Sequence, residues 1–325
     1  PTSGVSVADG NVAINSATSS FDGALNVDPG FAVSFISSGT HTFAPTLGLN
    51  GDLIFDRGNF TGTLNQPAVS NINITAATGN VVFDAFNFNT AGTVQFSSTG
   101  NDLNLNNSTV WTNNGTVDFL NTTSIADISN DNTLFTSLVN LGVMNVNTSD
   151  LDFFTPFDNQ GDFNVIGASN FFINEPSTNS GTISIDPASL FQVDNGNSSS
   201  LTLVGTPSII GTGIFGVGNG TVFDIAVPVA MGSGLTLDLV AGGVINNAQN
   251  LTTPNTFNIS GGTINGSVSP FITPVNTLTT YTGGTSNLVV AVDWINNGTF
   301  NFASTSSDMV MQGVTFTNAG LMDFN

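Results

Sequence analysis

"VWTNNGTVDF" occupies 110–119, and "DWINNGTFNF" repeats it at 293–302. Looser copies stand at 138–146 ("LVNLGVMNV"), 157–165 ("FDNQGDFNV"), 177–185 ("STNSGTISI") and 316–324 ("FTNAGLMDF"). The shared pattern is bulky–x–Asn–x–Gly–x–apolar–x–apolar. Asn and Gly mark a turn, and the alternation after them marks a short strand with one buried face. The same word at intervals along one chain predicts a repeat in which each copy has the same place in the fold.

The glycines of these words and their relatives give the period. Gly92, Gly115, Gly142, Gly161, Gly181, Gly213, Gly234, Gly262, Gly298 and Gly320 are spaced by 19 to 36 residues. A propeller blade needs about 40–45 residues or more, whereas 20–29-residue units suit stacked solenoid coils. Apolar alternation recurs in "TVDFL", "DFNVIG", "TISID", "LTLDLV" and "TFNFA", with Gly or Asn between, and strong helix formers are scarce. The expected fold is all-β: a right-handed parallel β-helix, or β-solenoid, with coils of 20–27 residues. The longer gaps are read as looped-out insertions, as at 274–287. About 12–13 coils at the ~4.8 Å strand spacing would span roughly 60 Å. A pair of β-sandwiches is the competing fold, but sandwiches do not require one turn word six times. Before Gly92 the register is hard to follow. Residues 1–80 are therefore read as an irregular N-terminal β segment suited to assembly, and 81–325 as the regular solenoid.

Stacking gives the recurring asparagines a task. Asn113, Asn140, Asn159, Asn179, Asn296 and Asn318 are expected to face inward at a turn and to hydrogen-bond from coil to coil as a ladder. Left-handed backbone geometry is open to such turn asparagines, and the glycine two positions later is expected to adopt a conformation closed to other residues.

Composition narrows the function. The 325 residues carry one Arg, no Lys, one His and 22 acids, a net charge of −21. Nucleic acid is excluded as a partner, because binding it requires cations against phosphate. Docking on an anionic membrane is disfavoured for the same reason, and no apolar run approaches a membrane span. With 39% hydrophobic residues and 27 Phe, the chain has a core to fill and is not disordered. It has no Cys. The near absence of Lys and Arg suits a protease-rich exterior, and the start at Pro1 without a basic leader reads as a processed or excised chain.

The Asn/Thr/Gly-rich words "NNGTVDF", "NSGTISI" and "NAGLMDF" resemble the right-handed β-helix shafts of exported bacterial surface proteins of the filamentous-haemagglutinin and autotransporter-adhesin type. The resemblance covers about residues 80–325. It implies secretion, a rigid rod, and a role in adhesion or in extracellular structures. The chain departs from those families in its lack of Lys and Arg, and it shows no recognisable secretion cap.

Candidate chemistry is sparse. Arg57 in "FDRGNF" is expected to pair on the surface with Asp52 or Asp56. His41 in "GTHTF" is expected at an exposed strand position. Several Asp pairs have the spacing of two or four that a glycosidase could use, but nothing marks one pair above another. The oxygen-rich loops "DISNDN" (127–132) and "DNQGD" (158–162) make Asp127, Asp131, Asp158 and Asp162 the candidate Ca²⁺ ligands; no other cofactor is expected. Thr-x-Thr at 40–42 and 315–317 does not recur at the coil period, which argues against ice ordering. Thirteen Asn-x-Ser/Thr sequons, Asn114 and Asn297 among them, are about what this composition yields by chance.

The expected function is that of an extracellular, non-enzymatic structural protein: a self-assembling subunit or shaft segment of a surface fibre, sheath or adhesin. The alternative is a carbohydrate-binding or polysaccharide-degrading β-helix in which Trp111, Trp294 and Tyr281 stack on sugar. For assembly, Val7, Val12 and Ile14 near one end and Leu321, Met322 and Phe324 near the other are expected to join head to tail as a homopolymer. Glycans and other surface proteins are the further partners expected.

Overall fold

A computed structural model describes residues 5–7, 10–21, 25–43, 51–98, 100–120, 126–129, 137–194, 199–284, 286–304 and 306–324. The chain divides into two compact units, Pro1–Phe163 and Asn164–Asn325. Both are parallel β-solenoids, and together they hold about 13 turns. The helical element among the described residues is one 3₁₀ turn, Ala248–Asn250.

In the first unit a coil supplies three short strands, or one short strand and one of nine or ten residues, as with Gly58–Gln66 and Val81–Thr90. One face stacks Val12–Ile14, Ala32–Phe35, Asp52–Phe55, Asn71–Ile74, Thr93–Phe96, Thr116–Phe119 and Val143–Val146. Successive strands pair at sequence steps of 19 to 27 residues. Period-two alternation sends every second side chain inward, so like residues stack. Val33, Leu53, Ile72, Val94, Val117 and Met144 form one buried column. Phe35, Phe55, Ile74, Phe96, Phe119 and Val146 form another. Phe35, Phe43, Phe55 and Phe60 meet with ring centroids 4.5–6.3 Å apart. Each fully buried Phe contributes about 1.5–3 kcal/mol, which is where the many phenylalanines go.

This ladder runs through residues 12–74, where the sequence register is hard to follow. The reason lies at the corner. The column that holds Asn113, Asn140 and Asn159 begins with Gln66 and Thr90, so the tell-tale Asn is missing from the early coils.

From Thr90 onward the corner column is a chain of hydrogen bonds. Thr90 Oγ1 donates to Asn113 Oδ1 at 3.1 Å. Asn113 Nδ2 donates to Asn140 Oδ1 at 2.8 Å, and Asn140 Nδ2 to Asn159 Oδ1 at 2.7 Å. The second amide hydrogens go to the carbonyls of Val143 and Asp162, both at 3.0 Å. All three asparagines are fully buried.

The glycine of the word has a different reason from the one expected. Neither these asparagines nor their glycines have positive φ. A Cβ on Gly115 would instead collide with the carbonyl oxygen of Gly92, one on Gly142 with that of Gly115, and one on Gly161 with that of Gly142. Glycine is required by the close approach of one coil to the next.

The second unit repeats the design. Asn170–Ile173, Leu190–Val193, Ile214–Val217, Thr236–Leu239, Thr256–Ile259, Leu278–Tyr281, Thr299–Phe302 and Leu321–Phe324 stack in parallel. Phe171, Phe191, Phe215, Leu237, Phe257, Thr279 and Phe300 make one inner column. The stretch 274–287, read as an insertion, contains the ladder strand Leu278–Tyr281, and Tyr281 is fully buried with its hydroxyl donating to Asp308 O at 3.0 Å.

The two closest copies of the word build the same triad. Trp111 Nε1 donates to Thr90 Oγ1 at 3.3 Å, and that hydroxyl donates to Asn113. Trp294 Nε1 donates to Thr273 Oγ1 at 3.4 Å, and that hydroxyl donates to Asn296 Oδ1 at 2.8 Å. Asn296 Nδ2 continues to Asn318 Oδ1 at 2.7 Å. Asn179 is buried too: its Nδ2 reaches Gly181 O at 3.2 Å, and its register partner in the following coil is Leu203. Within the second unit Asn179 is therefore not laddered to Asn296 and Asn318, because an apolar residue takes over the position after Asn179.

Two substitutions test the corner. Asn140→Leu removes one amide from a buried chain and strands donors and acceptors on both neighbours; a loss of about 2–5 kcal/mol is expected in urea unfolding. Asn140→Thr should cost less, since Thr occupies this position at 90 and 273. Gly142→Ala should cost about 1–3 kcal/mol by overpacking alone, and an unchanged midpoint would show that the coils are not so tightly apposed.

Candidate functional site

His41 is not exposed. In Thr40–Phe43 the two threonines point outward, while His41 and Phe43 point inward. Phe35 and Phe60 lie 5.0 and 5.2 Å from the imidazole centroid. Ser37 Oγ donates to Ser16 O at 2.6 Å, which spends its hydrogen. The imidazole lies with Nε2 3.4 Å from Ser37 Oγ and Nδ1 2.7 Å from Ser19 Oγ; with the Ser37 hydrogen spent, the first contact is a hydrogen bond only in the tautomer that carries Nε2–H, in which Nδ1 accepts from Ser19. Burial pushes the His41 pKa below its ordinary value, opposed by a hydrogen bond with the Ser37 backbone. The parity shared with Phe43 was the signal that could have placed it.

The outward faces carry the acids, and amides partner several of them. Asn71 donates to Asp52 at 3.1 Å, Asn145 to Asp118 at 2.8 Å, Asn247 to Asp224 at 2.7 Å and Asn258 to Asp238 at 2.9 Å. Each donor comes from the following coil, so these pairs staple neighbours while leaving the charge uncompensated. Asp238 lines a groove of about 110 Å³ with Asn258, Ser260 and Thr282. Burial raises its pKa, and the Asn258 hydrogen bond partly offsets that.

Of the calcium candidates, Asp158 and Asp162 have described side chains. Asp131 and the side chain of Asp127 lie outside the described residues. Asp158 accepts from Gln160 Nε2 at 2.6 Å on one face. Asp162 is exposed beyond the Asn159–Gly161 corner, at the start of the next strand. Among the described residues no group of three or more His, Asp or Glu side chains is placed to hold a metal ion.

Trp111, Trp294 and Tyr281, the aromatics considered for sugar stacking, are all fully buried and cannot present a ring to a ligand. Of the sequons inside the repeated word, Asn114 is exposed and Asn297 half-buried. At the ends, Val5–Val7 pairs with Leu25–Val27, and Val12–Ile14 with Ala32–Phe35. Val12 is 36% exposed and Ile14 half-buried. Leu321–Phe324 pairs with Thr299–Phe302. Leu321 and Phe324 are 60% and 70% exposed and Met322 half-buried, because no further coil covers them among the described residues.

Arg57 lies in a cleft of about 300 Å³ lined by Ser38, Arg57, Gly58, Asn59, Thr78, Gly79, Asn80 and Val82. It forms no ion pair with a described residue, contrary to expectation. Asp52 is taken by Asn71. Asp56 accepts from Thr75 Oγ1 (3.1 Å), Ala77 N (2.9 Å) and Thr78 Oγ1 (2.8 Å), so its carboxylate closes the 75–78 turn. Arg57 Nε donates to Ile36 O at 2.8 Å. Sequence proximity suggested the ion pair; the turn a coil later competes for the same carboxylate and wins. No family model matches the chain, and comparison with curated proteins and with solved structures found no match.

The buried imidazole makes stability depend on pH with a definite sign. Above about pH 6.5 neither folded nor unfolded chain protonates it. As pH falls through that value the unfolded chain takes a proton that the folded chain refuses, so stability drops, by up to about tenfold in the folding constant per pH unit. Denaturant midpoints of wild type and His41→Gln, compared from pH 8 to pH 5, should diverge on the acid side; parallel curves would remove the imidazole from the account.

Proposed function

We propose that this chain is an extracellular structural protein, a shaft segment of a surface fibre or adhesin, and not an enzyme. The observation that carries the reading is the in-register stack. Its interior is closed by Phe columns and asparagine chains, and its outward strands offer short polar side chains on flat faces. Such a body is suited to bearing load and spacing other parts. The likeness of its repeat words to filamentous-haemagglutinin and autotransporter shafts favours the same role, and scarcity of Lys and Arg favours a protease-rich setting.

Assembly is part of the proposal. The strands Met309–Met311, Phe316–Asn318 and Leu321–Phe324 present one edge of backbone groups and inward side chains without a covering coil among the described residues. A parallel strand from a second copy satisfies such an edge. Asn318, with Nδ2 on Gly320 O at 2.8 Å, ends the asparagine chain at this face. The −21 charge opposes lateral contact until salt screens it.

Sedimentation and negative-stain imaging of the full chain test this. Thin end-to-end assemblies that lengthen with protein concentration are expected, and Leu321→Lys with Phe324→Lys should return monomers of unchanged circular dichroism. A wild-type chain that stays monomeric at high concentration would defeat the self-assembly reading.

A further inference from the structure

We propose that the Arg57 cleft binds a hydroxylated carboxylate, the chemistry of a sugar acid. The inference is independent of the shaft reading, since a rod with or without self-assembly can carry such a site.

Three observations converge on it. First, the only Arg or Lys in a chain of net charge −21 forms no ion pair with a described residue. The adjacent carboxylate of Asp56 is occupied by three donors of the 75–78 turn. The Nε bond to Ile36 O fixes one edge of the guanidinium plane and leaves both terminal nitrogens for a ligand. A guanidinium so held is matched by a carboxylate, which takes two parallel N–H bonds.

Second, the cleft is shaped for more than an ion. About 300 Å³ is the lower end of small-molecule sites and suits a single ring or short chain. Its wall mixes the apolar Val82 with the hydroxyls of Ser38 and Thr78 and the amides of Asn59 and Asn80. An inorganic anion needs N–H donors all round; a hydroxylated carbon skeleton uses an apolar surface and mixed donors and acceptors.

Third, Asn59, which lines the cleft, keeps its Oδ1 buried without a partner. A buried acceptor left unmade costs about 1–3 kcal/mol. The oxygen has no open surface as placed, so a ligand hydroxyl reaches it once the Asn59 amide turns into the cleft; sulfate, which has no hydrogen to donate, offers it nothing.

The wall is built rather than incidental. Asp56 pins Thr78, and Asn80 is held from both sides: its carbonyl accepts from Gly58 N at 3.3 Å and its Oδ1 from Asp102 N at 3.1 Å. Gly58 has φ +127, and a Cβ there would crowd Ser37 O. Only glycine makes this corner, and the corner sets Arg57 at the rim.

Calorimetric titration of the full chain with glucuronate, methyl glucuronide, methyl glucoside, acetate and sulfate tests the assignment. Saturable binding of glucuronate is expected, weaker by about tenfold or more for acetate, sulfate and the neutral glycoside. Binding of the methyl glucuronide as tight as the free acid points to a glycan-linked unit. Binding confined to the free acid points to a small metabolite; both support the site. Arg57→Gln should abolish binding. Ser38→Trp, at an exposed rim position, fills the cleft while leaving the Arg57 residue unchanged and should do the same if the arginine variant folds poorly. Equal binding by wild type and both variants, equal binding of acetate and glucuronate, or no saturable binding of either uronate overturns the proposal.

Discussion

The structure depends on one constraint: within each unit, a coil hydrogen-bonds in register to the coil before it. Thr116 N reaches Gly92 O at 3.1 Å, Val143 N reaches Gly115 O at 2.8 Å, and Asp162 N reaches Gly142 O at 2.9 Å. At the ~4.8 Å strand spacing every side chain then sits on its counterpart, so a residue must tolerate a neighbour like itself. Phe on Phe does. Asn on Asn does better, because an amide both donates and accepts and so pairs with its own copy. Asp on Asp does not, which explains why Asp118 lies between Gln95 and Asn145, and Asp238 between Gly216 and Asn258. The register also sets Asp127 beside Asp152, so the preference is a bias and not a rule.

That constraint decides what could be read from sequence. The word at 110–119 was legible because stacking acts on it twice: Asn must pair with Asn, and Gly must admit the carbonyl beneath. The coils before it were not, since Gln66 and Thr90 do the corner's work there with different side chains. The backbone role first given to the glycines failed for the same reason, as their requirement comes from a neighbour some 20 residues away, which no local pattern contains. The asparagine positions were legible one by one, but where the chain of amides breaks, at Leu203, depends on register.

The site was less legible than the fold. His41 could have been placed by its parity with Phe43, and the reading from its flanking threonines overlooked that. Arg57 could not have been placed. Whether Asp56 answers the arginine or the turn at 75–78 is a competition between an ion pair at a wet surface, worth ~0–1 kcal/mol, and several hydrogen bonds that form only once the next coil has docked.

A perfect repeat yields flat faces, and flat faces hold little chemistry. Several departures from the repeat in the first unit fall within residues 57–86. Gly58 and Gly62 have φ of +127 and +97, Ala76 and Ala85 have φ of +42 and +48, and the pairing of the strand Val81–Thr90 shifts register between Phe83 and Phe86. A non-glycine residue at positive φ is sustained only where its surroundings over-determine it. Ala76 is fully buried, with its carbonyl accepting Asn101 Nδ2 at 2.7 Å. The unpaired arginine, the pinned turn and the cleft lie in this same stretch. The strand that shifts register here pairs with Gly58–Gln66, which directly follows the chain's only guanidinium.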